Sequence, residues 1–142
     1  MARPVFLLLI GLILASCRPD PGPPRLRIVD AWTPPLNAEA PTGAVYLTLY
    51  NDGGPDTLLT ASTDAAERVE LHESREEQGM MRMRRLDALP LPPRSETRLE
   101  PGGKHLMLVG FTPPAGDTLA LRLHFSVSGE RTVAVALEGS RF

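Results

Sequence analysis

The frequency of proline and glycine is the feature that most constrains how this chain can fold. Fifteen prolines and twelve glycines are spread over 142 residues, and both residue types interrupt regular helices. This composition favours many short strands and turns over long helices. No stretch keeps a helical periodicity for three turns, although residues 64–69 could form a single turn. With 42% hydrophobic residues, a chain of this length can bury the core of one domain.

Alternating or β-rich stretches recur roughly every 8–12 residues, which is typical of a β-sandwich or barrel. We predict strands at residues 26–32, 44–50, 57–61, 68–72, 80–86, 97–99, 105–111, 119–127 and 132–137. The proline-rich points at residues 34–35, 89–93 and 113–114 are predicted loops between strands. The sequence therefore predicts a single all-β domain over residues 26–142.

The first part of the chain is similar to an export signal followed by a spacer. Residues 1–16 contain an apolar stretch at 5–15, which is too short to span a bilayer and fits a signal peptide. Leu14-Ala15-Ser16-Cys17 resembles the bacterial lipobox, in which the cysteine becomes the lipidated first residue. We therefore expect a lipid on Cys17, a proline-rich tether over residues 17–25, and a periplasmic or other extracytoplasmic domain anchored to a membrane. The alternative is an ordinary signal peptide with an incidental cysteine.

Charge and cysteine content argue against several classes of function. The formal net charge is −2, so no basic field is available to attract the phosphates of a nucleic acid. A single cysteine allows neither an intrachain disulfide nor a metal site that needs two thiolates. If Cys17 is lipidated, no thiolate remains for a blue-copper electron-transfer site. No paired carboxylates and no Ser-His-Asp arrangement indicate an enzyme.

Two histidines and two methionines form the strongest functional pattern in the sequence. Ten residues separate His72 from Met83, twenty-one separate Met83 from His105, and one separates His105 from Met107. His105 and Met107 lie two positions apart on one predicted strand, so they project from the same face. If the preceding hairpin turns near Glu77-Gln78, His72 and Met83 face each other directly. Whether the two pairs approach each other depends on the fold.

The ligand types in this pattern favour one metal. Thioether sulfur and imidazole together suit Cu(I), and they suit Mg²⁺, Ca²⁺ or structural Zn²⁺ poorly. Four neutral ligands leave the ion its full charge, as expected of a site that holds copper and hands it over. Each residue taken alone has a more ordinary interpretation, since methionines on strands usually fill gaps in the core. The alternative is therefore a structural or interaction β-sandwich lipoprotein without a metal role.

Three further residues are candidates for the same site. Within residues 119–127 the apolar side chains alternate, which puts His124 on the polar side of its strand and predicts that it is not a ligand. Met81 shares strand parity with Met83 and could lie beside the copper, as shielding or as a substitute ligand. Met80 is expected to face away from it.

The spacing of the four residues resembles the signature of the PCuAC-type periplasmic copper chaperones, and His72, Met83, His105 and Met107 match that signature without a gap. The resemblance covers roughly residues 28–137. It implies a Greek-key β-sandwich related to cupredoxins. It also implies a monomeric Cu(I) metallochaperone, not an enzyme, that carries copper toward the dinuclear site of cytochrome c oxidase, with subunit II or another copper chaperone as partner. Neighbouring motifs are similar too: Asp30-Ala31-Trp32, Ala44-Val45-Tyr46-Leu47-Thr48, Val69-Glu70-Leu71-His72-Glu73, Leu99-Glu100-Pro101-Gly102-Gly103-Lys104-His105-Leu106-Met107-Leu108 and Leu123-His124-Phe125.

Overall fold

The computed structural model describes residues 20–35 and 42–138, and the regular elements in these ranges are β-strands. The expected signal peptide, residues 1–16, and the expected lipidation site, Cys17, lie outside the described residues. Within the described ranges, no helix has the length and apolar character needed to cross a membrane. The strands are β1 (Leu26–Thr33), β2 (Thr42–Asn51), β3 (Asp56–Ser62), β4 (Ala66–Glu77), β5 (Met80–Arg85), β6 (Leu89–Leu91), β7 (Ser95–Leu99), β8 (Lys104–Phe111), β9 (Thr118–Phe125) and β10 (Gly129–Leu137).

The strands form two layers that share β2. The first layer has the order β5-β4-β8-β2, and the second has the order β2-β1-β10-β9-β3-β6, with β7 also paired to β2. The first residues of β2 pair with β8, and its later residues pair with β1 and β7. Strands that are distant in sequence thus become neighbours, as in a Greek key. The predicted all-β sandwich is confirmed.

The core consists of side chains that alternate along the strands. On β2, Val45, Leu47 and Leu49 are buried, and β9 repeats the pattern with its leucines at 119, 121 and 123. Leu71 on β4 and Leu106 on β8 belong to the same buried cluster. Because successive side chains of a strand point to opposite faces, the residues on either side of Leu71 and Leu106 project away from the core.

Two local predictions are wrong. The segment that was expected to be a loop, residues 89–93, contains β6, which pairs with β3 at the edge of the second layer. Leu89 and Leu91 are buried while Pro90 between them is exposed, and an edge strand tolerates a residue without an N–H group. The single helical turn considered for residues 64–69 is also absent, since β4 begins at Ala66.

The segment just before β1 is attached to the domain. The Asp52 N–H donates to the Arg25 carbonyl at 3.0 Å, and the Gly54 N–H donates to the Pro23 carbonyl at 3.1 Å. A Cβ atom on Gly53 would lie 2.1 Å from the Pro23 oxygen, so this close approach requires glycine. The last three residues of the predicted tether, 17–25, therefore lie against the turn that follows β2.

Candidate metal centre

Two histidines from neighbouring strands meet on the outer face of the first layer. β4 and β8 pair antiparallel with His72 directly opposite His105, and their ring centroids are 5.9 Å apart. Their neighbours Leu71 and Leu106 belong to the core, so alternation directs both imidazoles to the opposite face. The register of β4 and β8 thus brings together two residues that are 33 positions apart in the chain.

Aromatic side chains cover His105 from the side of β2. The Tyr46 ring meets His105 edge-on at 6.4 Å between centroids, and Trp32 lies 4.9 Å from Tyr46. His105 is only 6% exposed. Burial lowers the pKa of His105, the nearby His72 lowers it further, and the hydrogen bond to Gly103 opposes both effects. The imidazole of His105 therefore stays neutral, and able to bind a metal, to a lower pH than an exposed one.

In each imidazole, one ring nitrogen forms a hydrogen bond within the protein, and the other has no hydrogen-bond partner among the described residues. His105 donates its Nδ1 hydrogen to the Gly103 carbonyl at 3.2 Å. His72 donates its Nε2 hydrogen to Glu70 at 2.9 Å, because an ionised carboxylate can only accept. The Nδ1 atom of His72 is buried and has no hydrogen-bond partner among the described residues. Neutral imidazoles held in this way by their second nitrogen fit a metal ion as ligands.

Both methionines of the motif lie on the same face as the histidines. Met107 follows His105 by two residues on β8 and sits opposite Glu70 of β4. Met83 lies on β5 opposite Ser74 and is 55% exposed. Since residues two apart on a strand share a face, the two thioethers flank the histidine pair, one on the inner strand of the layer and one on its edge.

The β4–β5 hairpin turns one residue later than predicted. Gln78 and Gly79 form a two-residue loop, and both have a positive φ, of 54° and 78°, which matches the twist of the flanking strands. The predicted direct pairing of His72 with Met83 is therefore wrong, and His72 faces Arg85 instead. Met83 is displaced by two residues, so it stays on the same face. Such diagonal neighbours lie about 7–8 Å apart, within reach of a long side chain.

The side chains of the motif on this face offer two imidazoles and two thioethers as possible metal ligands. In residues 20–35 and 42–138, no three His, Cys, Asp or Glu side chains converge closely enough to hold a metal ion. Imidazole and thioether are ligands that suit a soft ion.

The other two methionines of the hairpin separate by face. Met81 pairs with Glu76 and lies on the face of Met83, whereas Met80 pairs with Glu77 and lies on the opposite face. Both are more than half exposed. Met81 therefore shares the face of the site, two residues before Met83 on β5, and Met80 is a residue of similar exposure on the opposite face.

His124 belongs to a different part of the molecule. It lies on β9, which pairs with β10 and β3 in the second layer. Its Nε2 atom is 3.2 Å from Glu130, its neighbour across the strand pair, and its side chain is 43% exposed. The fold does not bring His124 to the face that carries His72 and His105.

A buried carboxylate supports the β4–β5 hairpin from its other face. Glu73 accepts hydrogen bonds from Arg75 and Arg84 and lies 3.4 Å from the Lys104 Nζ atom. The Arg84 bond is the main cause that lowers the pKa of Glu73 to about 2; burial opposes it, and Arg75 and Lys104 add to it. Glu73 is therefore ionised at neutral pH and ties β5 and β8 to β4.

Sequence reasoning missed Glu70, Tyr46 and Trp32 as parts of this site. A signal for Glu70 was present, because residues two apart on a strand share a face and Glu70 precedes His72 by two. The two rings had no such signal, since their approach to His105 depends on the pairing of β1, β2 and β8.

Comparison with known proteins shows the family to which this chain belongs. The family model described as "LpqE-like: Putative lipoprotein LpqE-like" matches residues 26–137. The chain belongs to the LpqE-like family. A curated relative, "Putative lipoprotein Lxx21020" of Leifsonia xyli subsp. xyli (strain CTCB07), is 31% identical over 99 residues. That alignment covers 67% of this LpqE-like chain and 60% of the relative's length.

Solved structures share the fold of this LpqE-like domain. The copper-bound PCuAC domain from PmoF2 superimposes with a TM-score of 0.67 at 27% identity, over 80% of this chain and 92% of that one. The solution structure of CuI-DR1885 from Deinococcus radiodurans gives a TM-score of 0.63 at 25% identity, over 89% of this chain and 85% of that one. The predicted resemblance to PCuAC-type domains is confirmed.

Proposed function

We propose that this LpqE-like protein is an extracytoplasmic copper chaperone that holds one Cu(I) ion between His72, Met83, His105 and Met107. The observation that carries the proposal is the facing pair of imidazoles, each with one unengaged nitrogen, on the strand face that bears both methionines. The copper-bound forms of two similar proteins support it. Imidazole and thioether are the ligands that suit Cu(I).

The proposed role is to bind and deliver the ion, not to catalyse a reaction. All four ligands are neutral, so the ion keeps its charge, and where the histidines are already neutral no ligand has to lose a proton when the ion binds or take one up when it leaves. The lowered pKa of His105 favours that condition. Such a site releases its cargo to a partner that offers stronger ligands, for example thiolates.

Titration of the purified protein with Cu(I), against a competing Cu(I) chelator under reducing conditions, tests the binding step. We expect one Cu(I) per chain, with X-ray absorption showing both nitrogen and sulfur in the shell. The absence of binding above that of the chelator would overturn the proposal. It would favour the alternative, a structural or interaction lipoprotein in which these side chains only pack.

For delivery, we propose the dinuclear copper site of cytochrome c oxidase subunit II as the recipient, with another copper chaperone as the alternative. The test mixes the Cu(I)-loaded protein with the apo copper domain of subunit II and separates the two. Copper should move to subunit II faster than it moves from a chelate of matched affinity. Equal rates would show that the protein only buffers copper.

The anchor is a separate proposal that rests on Cys17 and on the lipoprotein relatives. A lipid on Cys17 would hold the domain at a membrane on the extracytoplasmic side. The change Cys17→Ser is expected to release the protein from the membrane fraction without altering Cu(I) binding by the domain. Mass spectrometry that finds an unmodified Cys17 in the wild-type protein would contradict this proposal.

A further inference from the structure

Glu70 links an arginine and a histidine on the outer face of β4. Arg68, Glu70 and His72 follow each other at two-residue intervals, so their side chains share one face. One carboxylate oxygen of Glu70 lies 2.8 Å from Arg68 Nε, and the other lies 2.9 Å from His72 Nε2. Arg85 of the neighbouring strand adds a more distant contact at 3.8 Å. Both oxygens of Glu70 thus have a defined partner.

This arrangement determines where the proton of a neutral His72 lies. An ionised carboxylate has no hydrogen to donate, so the hydrogen in the contact belongs to His72 Nε2. A neutral imidazole carries only one N–H, and Nδ1 must then carry a free lone pair. The structure leaves that Nδ1 atom buried and without a hydrogen-bond partner in the described part of the chain.

We propose that Glu70 is a positioning residue that holds His72 in the Nε2–H tautomer and leaves Nδ1 as the nitrogen available to a ligand. His105 is held the other way round, since its Nδ1 hydrogen is donated to the Gly103 carbonyl and its Nε2 atom remains available. The two facing histidines therefore differ in which ring nitrogen the described residues leave without a hydrogen-bond partner, Nδ1 on His72 and Nε2 on His105. That this ligand is Cu(I) rests on the proposed function.

The position of Glu70 argues against a direct ligand role. Its two oxygens are already engaged by Arg68 and His72, and no cluster of three His, Cys, Asp or Glu side chains suited to a metal occurs among the described residues. Carboxylates that accept a hydrogen bond from a ligand histidine commonly fix its ring orientation and tautomer, and their loss weakens metal binding by about 10–100-fold.

Two substitutions at Glu70 and one at a control position distinguish an effect on the tautomer of His72 from an effect of the negative charge and from an effect of any nearby carboxylate. Glu70→Gln removes the charge but keeps an oxygen that can accept the His72 hydrogen. It sacrifices the ion pair with Arg68, an exposed side chain whose pair contributes little. Glu70→Ala removes the acceptor altogether. Glu76→Ala is the matched control, because Glu76 lies on the same face of β4 four residues beyond His72 and is exposed.

The first measurement uses the copper-free protein and therefore does not depend on the proposed function. Long-range ¹H–¹⁵N correlation spectra at neutral pH report which nitrogen of each histidine is protonated. We expect His72 protonated at Nε2 and His105 at Nδ1 in the wild-type protein. Glu70→Gln and Glu76→Ala should keep this pattern, and Glu70→Ala should give a mixture of tautomers at His72. A wild-type His72 protonated at Nδ1, or an unchanged tautomer in Glu70→Ala, would overturn the proposal without any question of misfolding.

The second measurement is the Cu(I) affinity of the same proteins against a chelator. Glu70→Ala should bind about 10–100-fold more weakly, while Glu70→Gln and Glu76→Ala should stay close to wild type. If Glu70→Gln loses as much affinity as Glu70→Ala, the carboxylate acts through its charge or as a ligand, and the positioning role is wrong. If the tautomer pattern holds but the wild-type protein binds no Cu(I), the positioning of His72 stands and the proposed function fails.

Discussion

The β4–β5 and β9–β10 hairpins both set a histidine beside a glutamate, yet the two histidines differ in what they can do. On β4, His72 is largely buried, and one of its ring nitrogens has no protein partner in the described chain. On β9, His124 is 43% exposed and contacts Glu130 across the strand pair, so water can complete its hydrogen bonds. A carboxylate neighbour alone therefore does not identify a ligand histidine. His72 differs from His124 in having a buried Nδ1 atom without a partner in the described chain and a second histidine directly opposite it, and these two features support its proposed role as a ligand.

The same two hairpins are also anchored by different kinds of bond. Asp56 accepts hydrogen bonds from the backbone N–H groups of Val127 and Ser128 in the loop between β9 and β10. Glu73 holds the β4–β5 hairpin through the side chains of Arg75 and Arg84, whose own heads are exposed. Asp56 is thus bound by neutral backbone N–H groups in fixed positions, whereas Glu73 is bound by flexible, charged arginine side chains, whose attraction salt can screen.

The largest effect is expected from removing one of the two proposed ligand histidines. His72→Ala or His105→Ala should each weaken Cu(I) binding by more than about 100-fold, since loss of a ligand costs more than loss of its hydrogen-bond partner. His124→Ala should leave the affinity unchanged. Chelator competition measures all three variants. A comparable loss in His124→Ala would erase the distinction between the two hairpins.

Removing the anchors should affect stability to different extents. Asp56→Ala deletes several hydrogen bonds to a charged acceptor and is expected to cost about 2 kcal/mol of unfolding free energy. Glu73→Ala should cost less at 1 M than at 0.1 M salt, because its partners are exposed cations, whereas the cost of Asp56→Ala should not depend on salt. Denaturant unfolding at both salt concentrations gives the comparison. Equal salt dependence would show that the two anchors do not differ in kind.

Acid should weaken copper binding through the β4–β8 histidines. His72 and His105 must be neutral to bind metal, and protons compete for them as the pH falls. Burial lowers the pKa of His105, so its imidazole should resist protonation to a lower pH than an exposed one, and the affinity should hold at neutral pH and decline on acidification. His124→Ala should reproduce the wild-type profile. Chelator competition as a function of pH checks both, and an affinity that is the same at about pH 7 and pH 5 would exclude these histidines as ligands.

The smallest expected effect is a several-fold change in methionine oxidation. If Met83 and Met107 are ligands as proposed, bound Cu(I) occupies their sulfur lone pairs and should slow their conversion to sulfoxides by mild peroxide. Met80 is exposed to nearly the same extent as Met83, 54% against 55%, but lies on the opposite face of β5, so copper should not protect it. Peptide mapping of apo and Cu(I)-loaded protein compares the three. Equal oxidation of Met83 in both forms would remove it from the ligand set.

Much of the fold could be predicted because it follows from local alternation. The period-two pattern of residues 119–127 put the leucines of β9 on one face, where they are buried, and parity alone put His105 and Met107 on one face. Parity also kept Met83 on the face of His72 when the hairpin proved to turn at Gln78-Gly79. Errors that shift a strand by two residues preserve faces and change only which residues are direct neighbours.

The remaining features depend on pairings between distant segments. Nothing local indicates that β4 lies beside β8, and this pairing is what brings His72 to His105. Residues 89–91 resemble a loop because of Pro90, and their burial follows from the edge position beside β3. The covering of His105 by Tyr46 and Trp32 likewise requires three strands to be in register.

The graded exposure of the four proposed ligands has a consequence for the order of ligand exchange. His105 lies deepest, at 6% exposure, and Met83 lies at the open edge of the sheet on β5. An incoming donor from a recipient protein would meet the most exposed of the proposed ligands first, so the thioether of Met83 would be displaced first and the imidazole of His105 last. Stepwise exchange of this kind would pass the ion between proteins through mixed-ligand intermediates, without a free aquo ion as a required step.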